Sequence, residues 1–184
     1  MSLLHRAVRV LVAYTDEEIE VMNRTCRGRG AVGATAIVPR LVREYAEQGD
    51  TILDFGAGTT AQHAQALRDD GYDVTAYEFG SNAVDGVHDP RALSKKYDVV
   101  YASNVLNVQP SERALDTTLQ KIAKAVRAGG IFIGNLPASP RKGAYSGMTG
   151  TEGSKMLQTK LESVFSSVKR VHGASSVPVF LCRK

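Results

Sequence analysis

The chain has 184 residues, which suits one domain with a buried core and leaves little room for a second. Apolar residues make up 43% and charged residues 23% of the chain, an ordinary globular balance, and no apolar run is long enough to cross a bilayer. The two cysteines, Cys26 and Cys182, lie far apart in sequence, which argues against a disulfide framework and against a thiolate zinc site. We therefore expect a cytoplasmic protein with no metal site and no membrane partner.

The net charge of +4 is concentrated near the N-terminus. Five arginines occupy a stretch without any acidic residue: Arg24, Arg27, Arg29, Arg40 and Arg43. Such a patch can attract nucleic acid or an anionic small substrate, and Arg27 and Arg29 stand among glycines that permit movement. A solvated face without function is the equal alternative.

The first fifty residues have helical patterns. Thr15 and Glu18 have the spacing of a capping box, which predicts a helix through about Asn23. Apolar residues then recur on one face over residues 37–45, which predicts a second helix. We assign residues 1–50 to a helical extension of the same domain.

From residue 51 onward, strand and helix patterns alternate, which is typical of a parallel sheet with helical crossovers. We assign residues 51–184 to this α/β core. The predicted strands are residues 51–55, 74–77, a weak third at 83–88, 97–102, 131–134 and a closing pair at 167–171 and 177–181.

A glycine-rich turn joins the first core strand to the next helix. Asp54 ends the strand, and Gly56 and Gly58 follow it. Glycines at this point let the backbone approach a ligand closely, and the helix start supplies unpaired amides. Glu78 stands twenty residues past Gly58, at the end of the second strand, where a carboxylate can accept both hydroxyls of a ribose. The pattern indicates a ligand that contains a nucleoside.

Two kinds of nucleoside cofactor fit these residues. Gly56, Gly58 and Ala61 satisfy the dinucleotide fingerprint, with Glu78 at the matching offset, so a nicotinamide-dependent oxidoreductase is one interpretation. Asp54 favours S-adenosylmethionine as the cofactor, because a fixed carboxylate before the glycines would repel a pyrophosphate and attract a cation. S-adenosylmethionine carries a sulfonium and an ammonium and has no phosphate.

Four segments in order resemble the motifs of the class I S-adenosylmethionine-dependent methyltransferases, and the match runs in register from about residue 51 to 134. They are residues 52–58 (ILDFGAG), 74–78 (VTAYE), 97–106 (YDVVYASNVL) and 126–133 (VRAGGIFI), the last with Ala128 where the family usually has proline. The resemblance implies a single-domain Rossmann-like fold with a seven-stranded, mostly parallel sheet in the order 3-2-1-4-5-7-6. It implies S-adenosylmethionine as the cofactor.

The resemblance also implies roles for individual residues. Glu78 would hold the ribose, and Phe79 would lie against the adenine. Asp89 would lie near the adenine amine, or it caps the next helix before Pro90. The residues expected around the methionine part or beside it are Asp54, Phe55, Gly56, Ala57, Gly58 and Ser103.

The catalytic residue is harder to assign, because methyl transfer needs orientation more than a proton carrier. Asn104 and Asn135 follow two core strands at the edge where open α/β sheets bind ligands, so we place them on the acceptor side. The sequence leaves two kinds of acceptor open, a small molecule and a nucleic acid. The SNVL segment at 103–106 departs from the Asp/Asn-Pro-Pro-aromatic segment typical of DNA amino-methyltransferases, which argues against a standard enzyme of that kind. A non-catalytic module that binds S-adenosylmethionine or nucleic acid is a further alternative.

Overall fold

The computed structural model describes residues 13–26, 36–137 and 142–184. Arg27 and Arg29, on which the hypothesis of an anionic acceptor depends, lie outside the described residues.

The described residues form five α-helices and six strands. The helices are α1 (Asp16–Cys26), α2 (Ile37–Tyr45), α3 (Gln62–Asp69), α4 (Glu112–Ala125) and α5 (Gly150–Glu162). The strands are β1 (Thr51–Phe55), β2 (Asp73–Tyr77), β3 (Tyr97–Ala102), β4 (Val126–Asn135), β5 (Ser167–His172) and β6 (Val179–Arg183).

The six strands make one sheet in the order β2-β1-β3-β4-β6-β5. Neighbours among the first four strands are parallel, and β6 runs antiparallel to both β4 and β5. Each face of the sheet is covered by two helices: α4 and α5 pack on one apolar cluster, and α2 and α3 pack on the other. The predicted α/β class is confirmed.

The predicted third strand is absent, so the seven-stranded sheet is wrong. Within residues 83–88 the chain turns back on itself, because the amides of Val87 and His88 both donate to the carbonyl of Val84, each at 3.1 Å. A backbone coiled in this way has no extended edge to pair with β2. The six remaining strands keep the order that the resemblance implied once the third is removed.

Helix α1 begins where the sequence predicts. Glu18 Oε2 accepts from the Thr15 amide at 3.0 Å, and Thr15 Oγ1 accepts from the Glu18 amide at 3.2 Å, which completes the capping box. Near its other end, α1 packs on Gly80, where an added Cβ would overlap the side chain of Asn23. Asn82 donates to the carbonyl of Asn23 at 3.2 Å. Helix α1 therefore lies directly on the loop that leaves β2.

Candidate functional site

The glycine-rich turn is fastened to the end of β2. The amides of Gly56 and Ala57 both donate to the carbonyl of Tyr77, at 2.9 and 3.0 Å. Gly56 has a φ of +81°, and a Cβ there would lie 2.6 Å from Val105 Cγ2, so only glycine fits. The carboxyl ends of β1 and β2 are thus held together, as the sequence predicts.

Glu78 links the same two strand ends through its side chain. Its carboxylate accepts from the amide of Gly58 at 2.8 Å and from the amide of Phe79 at 3.1 Å. Burial raises the pKa of Glu78, and the two amide hydrogen bonds oppose that rise. Two oriented oxygens with lone pairs to spare are suited to accept the hydroxyls of a ribose.

Gly58 leaves open space beside this carboxylate. Its φ is +70°, and no described heavy atom lies within 4 Å of where a Cβ would stand. The turn is therefore anchored by Glu78 yet accessible to a ligand, so these residues fit a nucleoside cofactor.

Asp54 lies below the turn rather than in the open space. It is 2% exposed. The nearby Tyr101 hydroxyl lowers the pKa of Asp54. Neither Asp54 Oδ2 nor Tyr101 Oη forms a hydrogen bond with a described residue. Burial dominates and raises the pKa of Asp54 to about 7.

The sequence argument against a dinucleotide assumed a charged carboxylate facing the ligand. The structure instead buries the carboxyl of Asp54 and raises its pKa, so this residue does not decide between the two cofactors.

Phe79 is half-buried and already has an aromatic neighbour. Its ring stacks on Tyr14 with centroids 5.4 Å apart and an interplanar angle of 17°. Tyr14 in turn carries the Lys121 ammonium over its ring, 3.9 Å from the centroid. Contact of Phe79 with an adenine remains a prediction. One face of the ring is covered by Tyr14, which lies two residues before α1.

Asp89 has local partners. Its carboxylate accepts from the Arg91 amide and pairs with the Lys95 ammonium, both at 2.8 Å, and its carbonyl accepts from Ala92 at 3.1 Å. The hydrogen bond with Lys95 holds the pKa of Asp89 below its usual range. These contacts stabilise a local turn, and the helical turn that follows at residues 92–94 begins at Arg91 without a side-chain cap. A contact of Asp89 with the adenine amine remains a prediction.

Asn104 and Asn135 meet across the ends of β3 and β4. Asn135 Oδ1 accepts from the backbone amide of Asn104, and Asn135 Nδ2 donates to Asn104 Oδ1, both at 2.8 Å. Asn104 adopts a φ of +60°, a left-handed conformation that asparagine tolerates better than most residues. The pair joins two strand ends beside half-buried Ser103.

A cavity of about 670 Å³ lies beside this edge, and the sequence analysis missed it. One wall is α1 with Thr15, and the others are residues 107–111 with Arg113 and residues 142–143. The loops that line it leave the carboxyl ends of β3 and β4. The capping-box pattern located α1, but no sequence signal showed which surface the helix would face.

Charged contacts fix α1 to the far wall of this cavity. The Glu18 carboxylate accepts from the Ser111 hydroxyl at 2.9 Å and forms an ion pair with Arg113. Despite partial burial, the hydrogen bonds from Thr15 and Ser111 and the charge of Arg113 lower the pKa of Glu18. The carboxylate is therefore ionised at neutral pH and holds the helix across the cavity.

A family model described as "Methyltransferase domain" matches residues 28–163. The chain belongs to the methyltransferase domain family. The expected class I S-adenosylmethionine-dependent methyltransferase, with S-adenosylmethionine as its cofactor, is confirmed, and the nicotinamide alternative is set aside. A search of curated proteins gives no significant match.

Solved methyltransferases share the fold at low sequence identity. A TehB-like S-adenosylmethionine-dependent methyltransferase from Corynebacterium glutamicum is 19% identical, with a TM-score of 0.62 over 88% of this chain and 92% of that one. The 1,6-didemethyltoxoflavin-N1-methyltransferase of Burkholderia thailandensis, solved with bound 1,6-didemethyltoxoflavin and S-adenosylhomocysteine, is 16% identical, with a TM-score of 0.62 over 94% of this chain and 91% of that one. The sugar N-methyltransferase KedS8 of a Streptoalloteichus species is 15% identical, with a TM-score of 0.62 over 98% and 100%.

Among the described residues of the methyltransferase, no group of three or more histidine, cysteine, aspartate or glutamate side chains could hold a metal ion. None of the helices they form combines the length and the apolar character needed to span a bilayer.

Proposed function

We propose that this methyltransferase transfers the methyl group of S-adenosylmethionine to a small-molecule acceptor bound beside α1. The observation that carries the proposed acceptor is the cavity of about 670 Å³ between α1 and residues 107–111. The position of the cofactor is supported by the Glu78 carboxylate, which the amides of Gly58 and Phe79 hold next to the open space at Gly58.

Under this proposal, the cofactor is held by the predicted residues at the ends of β1 to β3. Glu78 accepts the ribose hydroxyls, and Phe79 borders the adenine. The methionine part lies along the turn of residues 55–58 and beside Ser103, over the buried carboxyl of Asp54. Residues 51–184 are assigned to the cofactor-binding core, and α1, which belongs to the extension of residues 1–50, packs on that core at Gly80.

Methyl transfer requires little acid–base catalysis from the protein. S-adenosylmethionine, when bound, supplies a methyl group activated by a sulfonium. The protein holds the acceptor in line with that group and keeps water out, which is the orienting part of catalysis. Asn104 and Asn135 fix the ends of β3 and β4 through their paired amides, and we place them on the acceptor side of the site.

The cavity supports a small acceptor. Its volume of about 670 Å³ lies within the range of about 300–1,000 Å³ that small-molecule sites occupy. Its wall carries both signs of charge, with Glu17 and Glu18 opposite Arg113 and Lys142. A mixed wall does not select a polyanion, so the cavity favours a small acceptor over nucleic acid.

S-adenosylmethionine and S-adenosylhomocysteine are expected to raise the melting temperature, and NAD and NADP are not. A ligand at about a hundred times its dissociation constant adds roughly 2.7 kcal/mol to the free energy of unfolding. Differential scanning fluorimetry with each ligand at equal concentration measures the effect. A shift with NAD alone would overturn the proposed cofactor site.

The acceptor class can be tested without knowing the acceptor. We expect radioactive methyl groups from labelled S-adenosylmethionine to enter a small-molecule product of a cell extract, separated by chromatography from the unreacted donor, and not its DNA or RNA. An extract incubated with Glu78→Ala protein is the matched control. Incorporation into nucleic acid alone would contradict the small-molecule proposal and favour the hypothesis that Arg27 and Arg29 bind a nucleic-acid acceptor.

A further inference from the structure

We propose that His88 is a positioning residue that holds the peptide of Gly58 in the orientation needed for cofactor binding. The inference deepens the proposed function and depends on it. His88 was grouped in the sequence analysis with a weak strand, and the structure gives it a contact that the strand would not have allowed.

The hydrogen bonds of His88 define its tautomer. The backbone amide of Val84 lies 2.9 Å from Nδ1, and because an amide can only donate, Nδ1 is the acceptor. The proton of the neutral ring is then on Nε2, which donates to the carbonyl oxygen of Gly58 at 2.8 Å. The ring is 8% exposed, so water does not readily replace either partner.

Gly58 is consequently held from both sides. Its amide donates to Glu78 at 2.8 Å, and its carbonyl accepts from His88 and, at 3.2 Å, from the amide of Ala61. The residue has a φ of +70° and no side chain, so without these bonds its two peptide planes can rotate. The side where a Cβ would stand is open, and that is the side a ligand can approach.

The loop that carries His88 is itself anchored to the site. Asp89 donates from its backbone amide to the carbonyl of Ala76 at 3.0 Å, which ties the loop to the end of β2. The loop therefore connects the outer edge of β2 with the glycine turn after β1. Residues 83–88, where a third strand was predicted, therefore support the glycine-rich turn after β1 through the hydrogen bond from His88.

A histidine that only fills the core would act independently of Glu78. The structure argues for coupling, because the partners of His88 and Glu78 are the carbonyl and the amide of one residue, Gly58. If His88 is lost, the carbonyl of Gly58 keeps only the longer hydrogen bond from Ala61, so the peptide is held less firmly and the Gly58 amide orients the Glu78 carboxylate less well.

Two substitutions separate the bonds of the ring. In His88→Gln the terminal amide nitrogen can reach the position of Nε2 and keep the donor to Gly58, whereas His88→Asn places its amide near Nδ1 and loses that donor. We expect His88→Asn to weaken the affinity for S-adenosylhomocysteine by about fivefold or more, as the loss of one buried hydrogen bond implies. His88→Gln should stay within about twofold of the unaltered protein. Exposed His172 supplies the control His172→Asn, which should change nothing.

Isothermal titration calorimetry on the full chain decides between the outcomes, with melting temperatures to verify folding. The effect of His88→Asn is measured again in the Glu78→Ala background, where we expect it to shrink, because the shared partner has already lost its carboxylate. Equal weakening by His88→Gln and His88→Asn, or an undiminished effect without Glu78, overturns the inference and leaves the proposed function standing. Failure of the unaltered protein to bind S-adenosylhomocysteine overturns the proposed function and the inference with it.

Discussion

Glu78→Ala is expected to weaken the binding of S-adenosylhomocysteine by more than tenfold. The carboxylate accepts two backbone amides at 2.8 and 3.1 Å, and hydrogen bonds to a charged group are worth about 1.5–3 kcal/mol each. Alanine removes the proposed ribose contact and also leaves the turn at Gly58 without its anchor. Calorimetric titration of the purified variant gives the affinity directly.

Glu78→Gln is the matched control for this experiment. Glutamine keeps one acceptor oxygen and the same side-chain length, so its loss of affinity should be smaller than that of alanine. The fold should survive both changes, because Glu78 lies just beyond the end of β2 and outside both apolar clusters. An unchanged affinity of Glu78→Ala would remove the residue from the site.

Asp54→Asn is expected to raise the free energy of unfolding at pH 8 by up to about 4 kcal/mol, with little effect at pH 4. Folding raises the pKa of Asp54 from 3.8 to about 7, because the carboxyl is buried. The folded protein then binds the proton more tightly than the unfolded chain, so the free energy of unfolding falls as the pH rises from about 4 to 7. Asparagine cannot ionise, so that fall should disappear.

Urea unfolding of both proteins at pH 4, 6 and 8 measures this difference. Asp85→Asn is the control, since Asp85 is an exposed carboxylate in the loop that follows β2, and its variant should follow the pH dependence of the unaltered protein. If Asp54→Asn gives the same difference at every pH, the carboxyl of Asp54 ionises normally despite its burial.

The sequence predicted those parts of the fold that depend on local patterns. The apolar runs of β1 and β3, the capping box of Thr15 and Glu18, and the glycines before α3 each act within a few residues, and all lie where expected. The contact between the ends of β1 and β2 followed from the topology of a parallel sheet. The cofactor residues remain a prediction, although the structure brings Gly56, Gly58 and Glu78 together.

The rest depends on contacts between distant residues. The apolar letters of residues 83–88 fit a strand as well as a turn, and the turn forms because its amides find the carbonyl of Val84. The mutual pairing of Asn104 and Asn135 joins residues on different strands, which no single-sequence pattern encodes. The cavity likewise depends on where α1 is placed by Gly80 and Arg113.

Among the described residues no strand pairs with the outer edge of β2, and this affects contacts between molecules. The terminal strand of a sheet presents unpaired backbone groups, which can recruit a strand from another chain and begin aggregation. Here Arg68 donates through Nε to the carbonyl of Val74 at 2.9 Å, and the Asp89 amide takes the carbonyl of Ala76 at 3.0 Å. Two outward carbonyls of β2 are thus occupied by a side chain and a loop. Within the described residues, the outer edge of β2 therefore offers fewer free carbonyls to a strand from another molecule.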